Sequence, residues 1–172
     1  MQIRTERLLL RPVTLDDLVT THAYAADLSN TRFMMFLPFA SLEETAESLR
    51  EAVQQWENPV PDRWEFAIVL DGRHIGSVTL YFQEDRTEAE LGWVLHRDYW
   101  RKGYVSEAAQ ALIDLAREQL HIRRIFACCD SENIASYRTM EKLGLRYAAS
   151  GTRKNRSSGD EERVELIYEL FL

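Results

Sequence analysis

Residues 90–107, ELGWVLHRDYWRKGYVSE, decide how the chain is read. Leu91, Trp93, Val94 and Leu95 make a half-apolar strand that runs into a short basic turn, Arg101-Lys102-Gly103. Beyond the turn Val105, Ala108, Ala109, Leu112, Leu115, Ala116 and Leu120 recur at three- and four-residue spacing, the period of one buried helix face. The unit is strand, loop, helix. At the mouth of such a helix the first amides lack intrahelical partners and the axis ends in roughly half a positive charge, which suits a phosphate. Gly103 admits an anion close to the backbone, and Arg101 and Lys102 add formal charge. An ordinary turn whose glycine only relieves strain fits the same residues, so local chemistry leaves both readings open. Neither G-x-G-x-x-G nor G-x-x-x-x-G-K-[ST] occurs, which argues against a dinucleotide fold and a nucleoside-triphosphate loop.

The remainder of the chain narrows the class. A length of 172 residues fits one domain, 1–172, with enough volume for a core that needs no staples. Hydrophobic residues at 45% and charged ones at 28% describe a soluble globular protein. A net charge of -7 argues against nucleic acid as the main partner, because phosphate backbones are met by basic faces. Cys128 and Cys129 are adjacent in an apolar run, a spacing that fits neither a disulfide framework nor a zinc knuckle, and a reducing cytoplasm is expected. No apolar stretch approaches the ~20 residues of a membrane span, residues 1–7 carry no signal-like core, and no membrane partner is expected. His22, His74, His96 and His121 are scattered, so no metal is expected.

In chain order, Arg4 to Val13 reads as a first strand that ends near Pro12. Thr14 to Asp17 and Ser41 to Glu44 have the shape of capping boxes, each opening a helix, the first to about Ala26 and the second to near Trp56. Between them Phe33, Met34, Met35, Phe36 and Phe39 read by default as core packing, with a substrate wall as the alternative. Trp64, Phe66, Ile68 and Leu70 alternate, Asp71-Gly72 supplies a hairpin turn, and His74 to Phe82 returns. After the central helix, Arg124 to Asp130 is a strand covered on both sides, and Ser131 to Leu145 a helix that Asn133 caps and Gly144 ends. Leu145 to Thr152 and Arg163 to Leu172 are the last strands, joined by a polar loop expected to be mobile. This order predicts a mixed sheet flanked by helices.

These elements, together with YWRKGYVSEA at 99–108 and NIASYRTMEKLGL at 133–145, resemble the GNAT N-acetyltransferases. TERLLLRP at 5–12 looks like the branch with the bacterial Rim-type ribosomal-protein N-terminal acetyltransferases. The resemblance covers the full length. It implies an α/β (α+β) fold, a mostly antiparallel twisted sheet of about seven strands with about four helices. It implies acetyl-CoA as co-substrate and a primary amine as acceptor, either a small molecule or a peptide N-terminus. It puts the diphosphate on the turn Arg101, Lys102, Gly103, Tyr104, Val105 and Ser106. The preceding strand, splayed at a bulge that Gly92 would suit, pairs through Trp93 and Leu95 with the pantetheine arm. Asn133, with Ser136 beside it, touches the same arm, although Asn133 also serves as a plain N-cap. Homodimers are frequent in the family.

The chain departs from the family pattern at three positions. Trp100 and Val105 fill the outer slots of the turn, and Val105 leaves its amide free only if its side chain points inward. Met140 stands where many members carry the tyrosine that protonates the leaving thiolate, and a thioether has no proton to give. Tyr137 and Ser136 are the substitutes nearby. Glu90 is the candidate base, directly or through a water, because on a strand it points opposite to Leu91; Glu88 shares its parity and is the second candidate. Solvated surface acids are the alternative for both. Tyr99, Trp93 and Phe33 to Phe39 are candidates for shaping the acceptor pocket. Met140 also motivates a different reading, a GNAT-fold module that binds acyl-CoA without turnover.

Overall fold

A computed structural model describes residues 1–172 throughout. Its eight strands form one sheet in the order β1-β2-β3-β4-β5-β6-β8-β7, where β1 is Ile3–Arg4, β2 Leu8–Pro12, β3 Arg63–Leu70, β4 Arg73–Phe82, β5 Glu88–Leu95, β6 Arg124–Asp130, β7 Arg146–Lys154 and β8 Glu162–Phe171. The helices are α1 Leu18–Ala25, α2 Leu28–Thr31, α3 Leu42–Glu57, α4 Tyr104–Glu118 and α5 Ile134–Lys142. All neighbouring strands are antiparallel except β5 and β6, which α4 links as a parallel pair.

The expected first strand is broken in two, because the Thr5 amide donates to the Leu8 carbonyl at 3.0 Å and Thr5 Oγ1 accepts from the Leu8 amide at 3.0 Å. That turn and the single turn of α2 account for the extra strand and helix. Ser41 caps α3 by accepting from the Glu44 amide, and Asp71 and Gly72 both have positive φ, as a tight Asp-Gly hairpin requires. No bulge lies at Gly92: the β4–β5 register runs unbroken, and the register shifts fall between Ile68 and Val69 of β3 and between Tyr147 and Ala149 of β7. Gly92 answers another need. A Cβ there would stand 3.1 Å from the Tyr81 ring of the neighbouring strand, so glycine lets that ring lie across β5.

The sheet has two dissimilar faces. On one, Ala108, Ala109, Leu112 and Ala116 of α4 bury Leu91, Leu95, Ile125 and Ala127 in the main core, with Val105 packed at its margin. On the other, α3 lays Leu49 and Ala52 on Val13, Ala67 and Val69. The aromatic stretch after α2 is not core. Phe36 is 72% exposed and Met35 39%, and Phe33, Met34 and Phe39 are only half-buried. This stretch is held by its backbone. Arg153 donates to the Phe33 carbonyl at 3.0 Å, Arg156 to those of Met34 and Phe36, and Ser157 to that of Arg32. The same bonds correct the expectation of a loose β7–β8 connection. Arg153 and Asn155 are buried there, and Asn155 donates to the fully buried Asp130 at 2.6 Å.

A second buried polar group lies under α1. Arg11 makes two bonds of 2.7 Å to Asp17, and His74 Nδ1 lies 2.7 Å from Thr20 Oγ1 while its Nε2 is buried without a partner. Burial lowers the proton affinity of His74 despite the pull of Asp17. The unfolded chain therefore takes up a proton near pH ~6.5 that the folded chain refuses, so stability is lost as pH falls below that point. The decline of Tm between pH 7 and 5 is expected to flatten in His74→Gln, and an unchanged slope would assign the acid sensitivity elsewhere.

Candidate active site

The turn before α4 is built to leave its amides free. Arg101 and Gly103 adopt left-handed backbone, with φ of 62° and 82°, and the glycine N-cap offers no side chain to occupy the helix mouth. From Arg101 through Ser106 no backbone N–H has a protein acceptor; the first amide engaged is that of Glu107, which donates to Gly103 O at 3.0 Å. Successive N–H groups around left-handed residues make an anion-binding concavity. The Arg101 side chain makes no ion pair, and Lys102 Nζ donates to the Asp98 carbonyl at 2.9 Å. Val105 turns its side chain toward the core, so its bulk does not cover the amide.

A residue pair far away in sequence braces this turn. Glu107, in the first turn of α4, accepts from Thr5 Oγ1 at 2.5 Å, from the Arg7 amide at 2.8 Å and from Arg7 Nε at 2.7 Å. The Arg7 guanidinium also donates to Lys102 O at 3.0 Å and lies 4.6 Å from the Tyr104 ring centre. Although burial works the other way, these donors hold the Glu107 carboxyl below its ordinary range. Its negative charge is thereby matched by Arg7 and does not oppose an anion at the helix mouth.

Next to the turn the sheet opens. β5 pairs with β6 only from Glu88↔Arg124 to Glu90↔Phe126, after which the two strands part. Gln83 N donates to Glu88 O and His96 N to Ile75 O, which fixes the alternation: residues 88, 90, 92, 94 and 96 direct their backbone groups to β4. Leu91, Trp93 and Leu95 therefore face the gap. One of these groups is already used, since the Trp100 indole donates to Leu95 O at 2.8 Å. The tryptophan thus ties the turn to the gap strand, and Leu95 keeps only its N–H for a ligand. Across the gap Asn133 caps α5 by accepting from the Ser136 amide at 3.3 Å, so the N-cap reading holds and its side-chain NH₂ stays available. Met140 is 1% exposed and belongs to the core. Ser136 and Tyr137, the latter stacked on Tyr168 at 6.4 Å, are the hydroxyls left at the start of α5.

Glu90 points to the face opposite Leu91. Burial raises the proton affinity of its carboxyl and the charge of Glu165 raises it further, against Arg153 and a hydrogen bond from the Cys128 thiol. A carboxylate so raised is suited to accept a proton near neutral pH. Glu88 is not equivalent: Arg124 binds it at 2.5 Å and Glu169 at 2.8 Å, so its charge is committed to an ion-pair network. Trp93 and Tyr99 pack on the α4 side and do not wall the face that Glu90 occupies. Tyr81 does, its phenol pushed up to about 12 by burial and then by Glu65. Burial also pushes the Cys128 thiol up to about 12, which keeps it protonated as a donor. Tyr81 was not legible as a site residue, because only the β4–β5 register sets it opposite Glu90 and no local motif marks it; Arg153 of β7 and Glu165 of β8 act on Glu90 from further off, through charge.

No helix of the structure is long and apolar enough to cross a membrane. The model of an acetyltransferase (GNAT) domain matches residues 7–146. An uncharacterized N-acetyltransferase of Bacillus subtilis (strain 168), YnaD, is 33% identical over 148 residues, 85% of this chain and 83% of that one. A GNAT-family acetyltransferase from Bacillus anthracis has the same fold, with a TM-score of 0.85, 29% identity and coverage of 99% of this chain and 98% of that one. RimL, a ribosomal L7/L12 alpha-N-protein acetyltransferase solved with coenzyme A, superposes with a TM-score of 0.88 over 100% of this chain and 98% of that one. At 15% identity that likeness concerns the fold alone. An open sheet that parts beside a helix mouth lined with free amides, and a family match spanning most of the sequence, lead to one conclusion: the chain belongs to the GNAT family of acetyltransferases.

Proposed function

We propose that the protein transfers an acetyl group from acetyl-CoA to a primary amine, directly and without an acyl-enzyme, and that Glu90 receives the proton the amine must lose. The observation that carries this reading is the placement of unengaged amides and of the raised carboxylate on either side of one gap. The residues fit acetyl-CoA. The amides of Arg101, Lys102, Gly103, Tyr104, Val105 and Ser106 would hold the diphosphate, Trp93 and the Leu95 N–H the pantetheine amides, and Asn133, with Ser136, its inner end. Acetyl-CoA supplies an activated acyl carbon and a thiolate leaving group. The chain's own part is to hold the amine beside that carbon and to strip its proton through Glu90.

The thiolate can be protonated by the second proton of the attacking amine, through Tyr137 or solvent, since Met140 is inside the core. The binding-only module rested on Met140, and membership of an acetyltransferase family speaks for transfer instead. The acceptor is a small-molecule amine or a peptide N-terminus, and the anionic face around Glu90, Glu65 and Glu165 suits an ammonium group. We place the protein in the cytoplasm, with its two thiols free, and take a homodimer as the working assembly.

The test is release of free thiol from acetyl-CoA over a panel of spermidine, lysine, an aminoglycoside and a serine-initiated peptide. At least one amine is expected to accelerate release over the hydrolytic background by a hundredfold or more, about 10² being the low end for a positioned base. Binding of coenzyme A with no acceleration by any amine would count against transfer to this class.

A further inference from the structure

In its row of the sheet Glu90 stands between two aromatic residues, Tyr81 on β4 and Phe126 on β6, and partners in a row share a face. The two rings are not equivalent. The Arg124 guanidinium lies 5.1 Å from the Phe126 ring centre, whereas no cation and no other ring is packed against Tyr81. His74 to Leu80 are all buried, yet Tyr81, the next residue, is 38% exposed although β3 and β5 flank it on both sides. It is therefore open through the face of the sheet, while the burial that pushes its phenol up to about 12 shows how closely protein crowds it. A side chain both crowded and reached by solvent lies in a recess. Arg63, its partner on β3, directs its guanidinium to Glu51 of α3 at 3.8 Å, so that charge is already matched. The ring also leans toward the gap. A Cβ on Gly92 would stand 3.1 Å from Tyr81 Cε2 and 3.9 Å from Cδ2, which sets the ring diagonally across β5, over a position with no side chain. Gly92 is the first residue on the Glu90 face after β5 has parted from β6.

We infer that Tyr81 is a specificity-determining residue of the acceptor site: the acceptor's ammonium is held against its ring, beside Glu90 and at the start of the gap, so the substrate class is the primary alkylammonium. This rests on the reading of Glu90 given above. The face of an aromatic ring carries the negative part of its quadrupole, and in a recess away from bulk water it attracts a cation more strongly than at an open surface. An alcohol or thiol of the same shape gains only contact area there, so the ring favours amines before any proton is removed. Glu90 then accepts one N–H proton, and the neutral nitrogen, which the ring no longer holds as a cation, is free to approach the thioester. A ring laid over a bare strand position also steadies a sheet, but that service does not distinguish a charged ligand from a neutral one.

The complex with coenzyme A, which has no acyl group to transfer, is titrated with n-butylammonium and with uncharged n-butanol, and the methylene signals of each are followed by ¹H NMR. In the wild type n-butylammonium is expected to saturate with an upfield ring-current shift, and n-butanol to bind about fivefold or more weakly. Tyr81→Leu is expected to weaken n-butylammonium by about five- to thirtyfold, the range for one cation–ring contact in a sheltered site, and to abolish the shift. Tyr81→Phe keeps the ring and is expected to bind within about twofold of the wild type, because the hydroxyl takes no part. Coenzyme affinity is expected to be unchanged, which reports folding. If Tyr81→Leu does not fold, Gly92→Val, which keeps the tyrosine but pushes its ring off the strand, is expected to weaken n-butylammonium in the same direction. No saturable binding of n-butylammonium, equal binding of the amine and the alcohol, an unchanged midpoint in Tyr81→Leu or in the Gly92→Val that replaces it, or a Tyr81→Phe as weak as Tyr81→Leu would each overturn the inference. Failure of the base assignment reads out separately, as undiminished kcat in Glu90→Gln.

Discussion

Glu90→Gln is expected to lower kcat by about 10²–10⁴-fold, the range for loss of a positioned general base, with coenzyme A affinity unchanged. The substitution keeps the size of the side chain and removes only its capacity to accept a proton. Its neighbours are the reason for choosing it: burial first, then the charge of Glu165, raise this carboxyl above the usual glutamate range. The acid limb of kcat/KM in the wild type should therefore lie above that range and disappear in the variant. The sign for stability is opposite. Because the folded-state proton affinity is raised, the wild type loses stability as pH rises through the shifted titration, and the amide does not. A variant with a Tm at pH 8 no lower than the wild type and with its rate lost would identify a residue kept for chemistry. An undiminished rate would remove Glu90 from the mechanism.

Gly103→Glu is expected to weaken coenzyme A by a hundredfold or more, about 3 kcal/mol, while Gly103→Ala costs much less. At φ of 82° any side chain is strained, and a Cβ would point at Arg7 Nη2, 3.4 Å away. A glutamate there competes with Glu107 for that guanidinium, so one carboxylate is left unmatched at the helix mouth. At ~6 Å and an effective dielectric of ~20 a unit charge repels a phosphate by about 3 kcal/mol. Alanine brings only the strain, because the guanidinium can yield. Calorimetry with coenzyme A measures both, and equal dissociation constants for wild type and the Glu variant would dissociate this turn from diphosphate binding.

What could be read from the sequence was what local periodicity and turn chemistry specify. The strand-loop-helix at 90–120, the Asp71-Gly72 hairpin and the Ser41 cap all come from contacts within a few residues. The errors share one origin, in that each concerned a residue whose partner is remote. Phe33 to Phe39 read as core because five apolar side chains lie close in sequence. The bonds that hold the stretch instead come from Arg153, Arg156 and Ser157, more than a hundred residues on. Gly92 read as a bulge, although a glycine's missing side chain does not tell which neighbour fills the space; that neighbour is Tyr81. Glu90 was found by parity alone, whereas Tyr81, directly opposite it, needed the β4–β5 register.

Thr5 and Arg7 reach across to Glu107, and β1 joins the sheet through only Ile3 and Arg4. The amino-terminal segment is thus a latch on the helix mouth, fastened at its far end by a weak hem. Anything that tugs on that hem, such as a bulky fusion partner or proteolytic trimming at the front, is felt where the diphosphate sits and not locally. A preparation altered there can look like a poor coenzyme binder while every residue of the turn is intact, so carrying an affinity tag at the other end is the sounder choice.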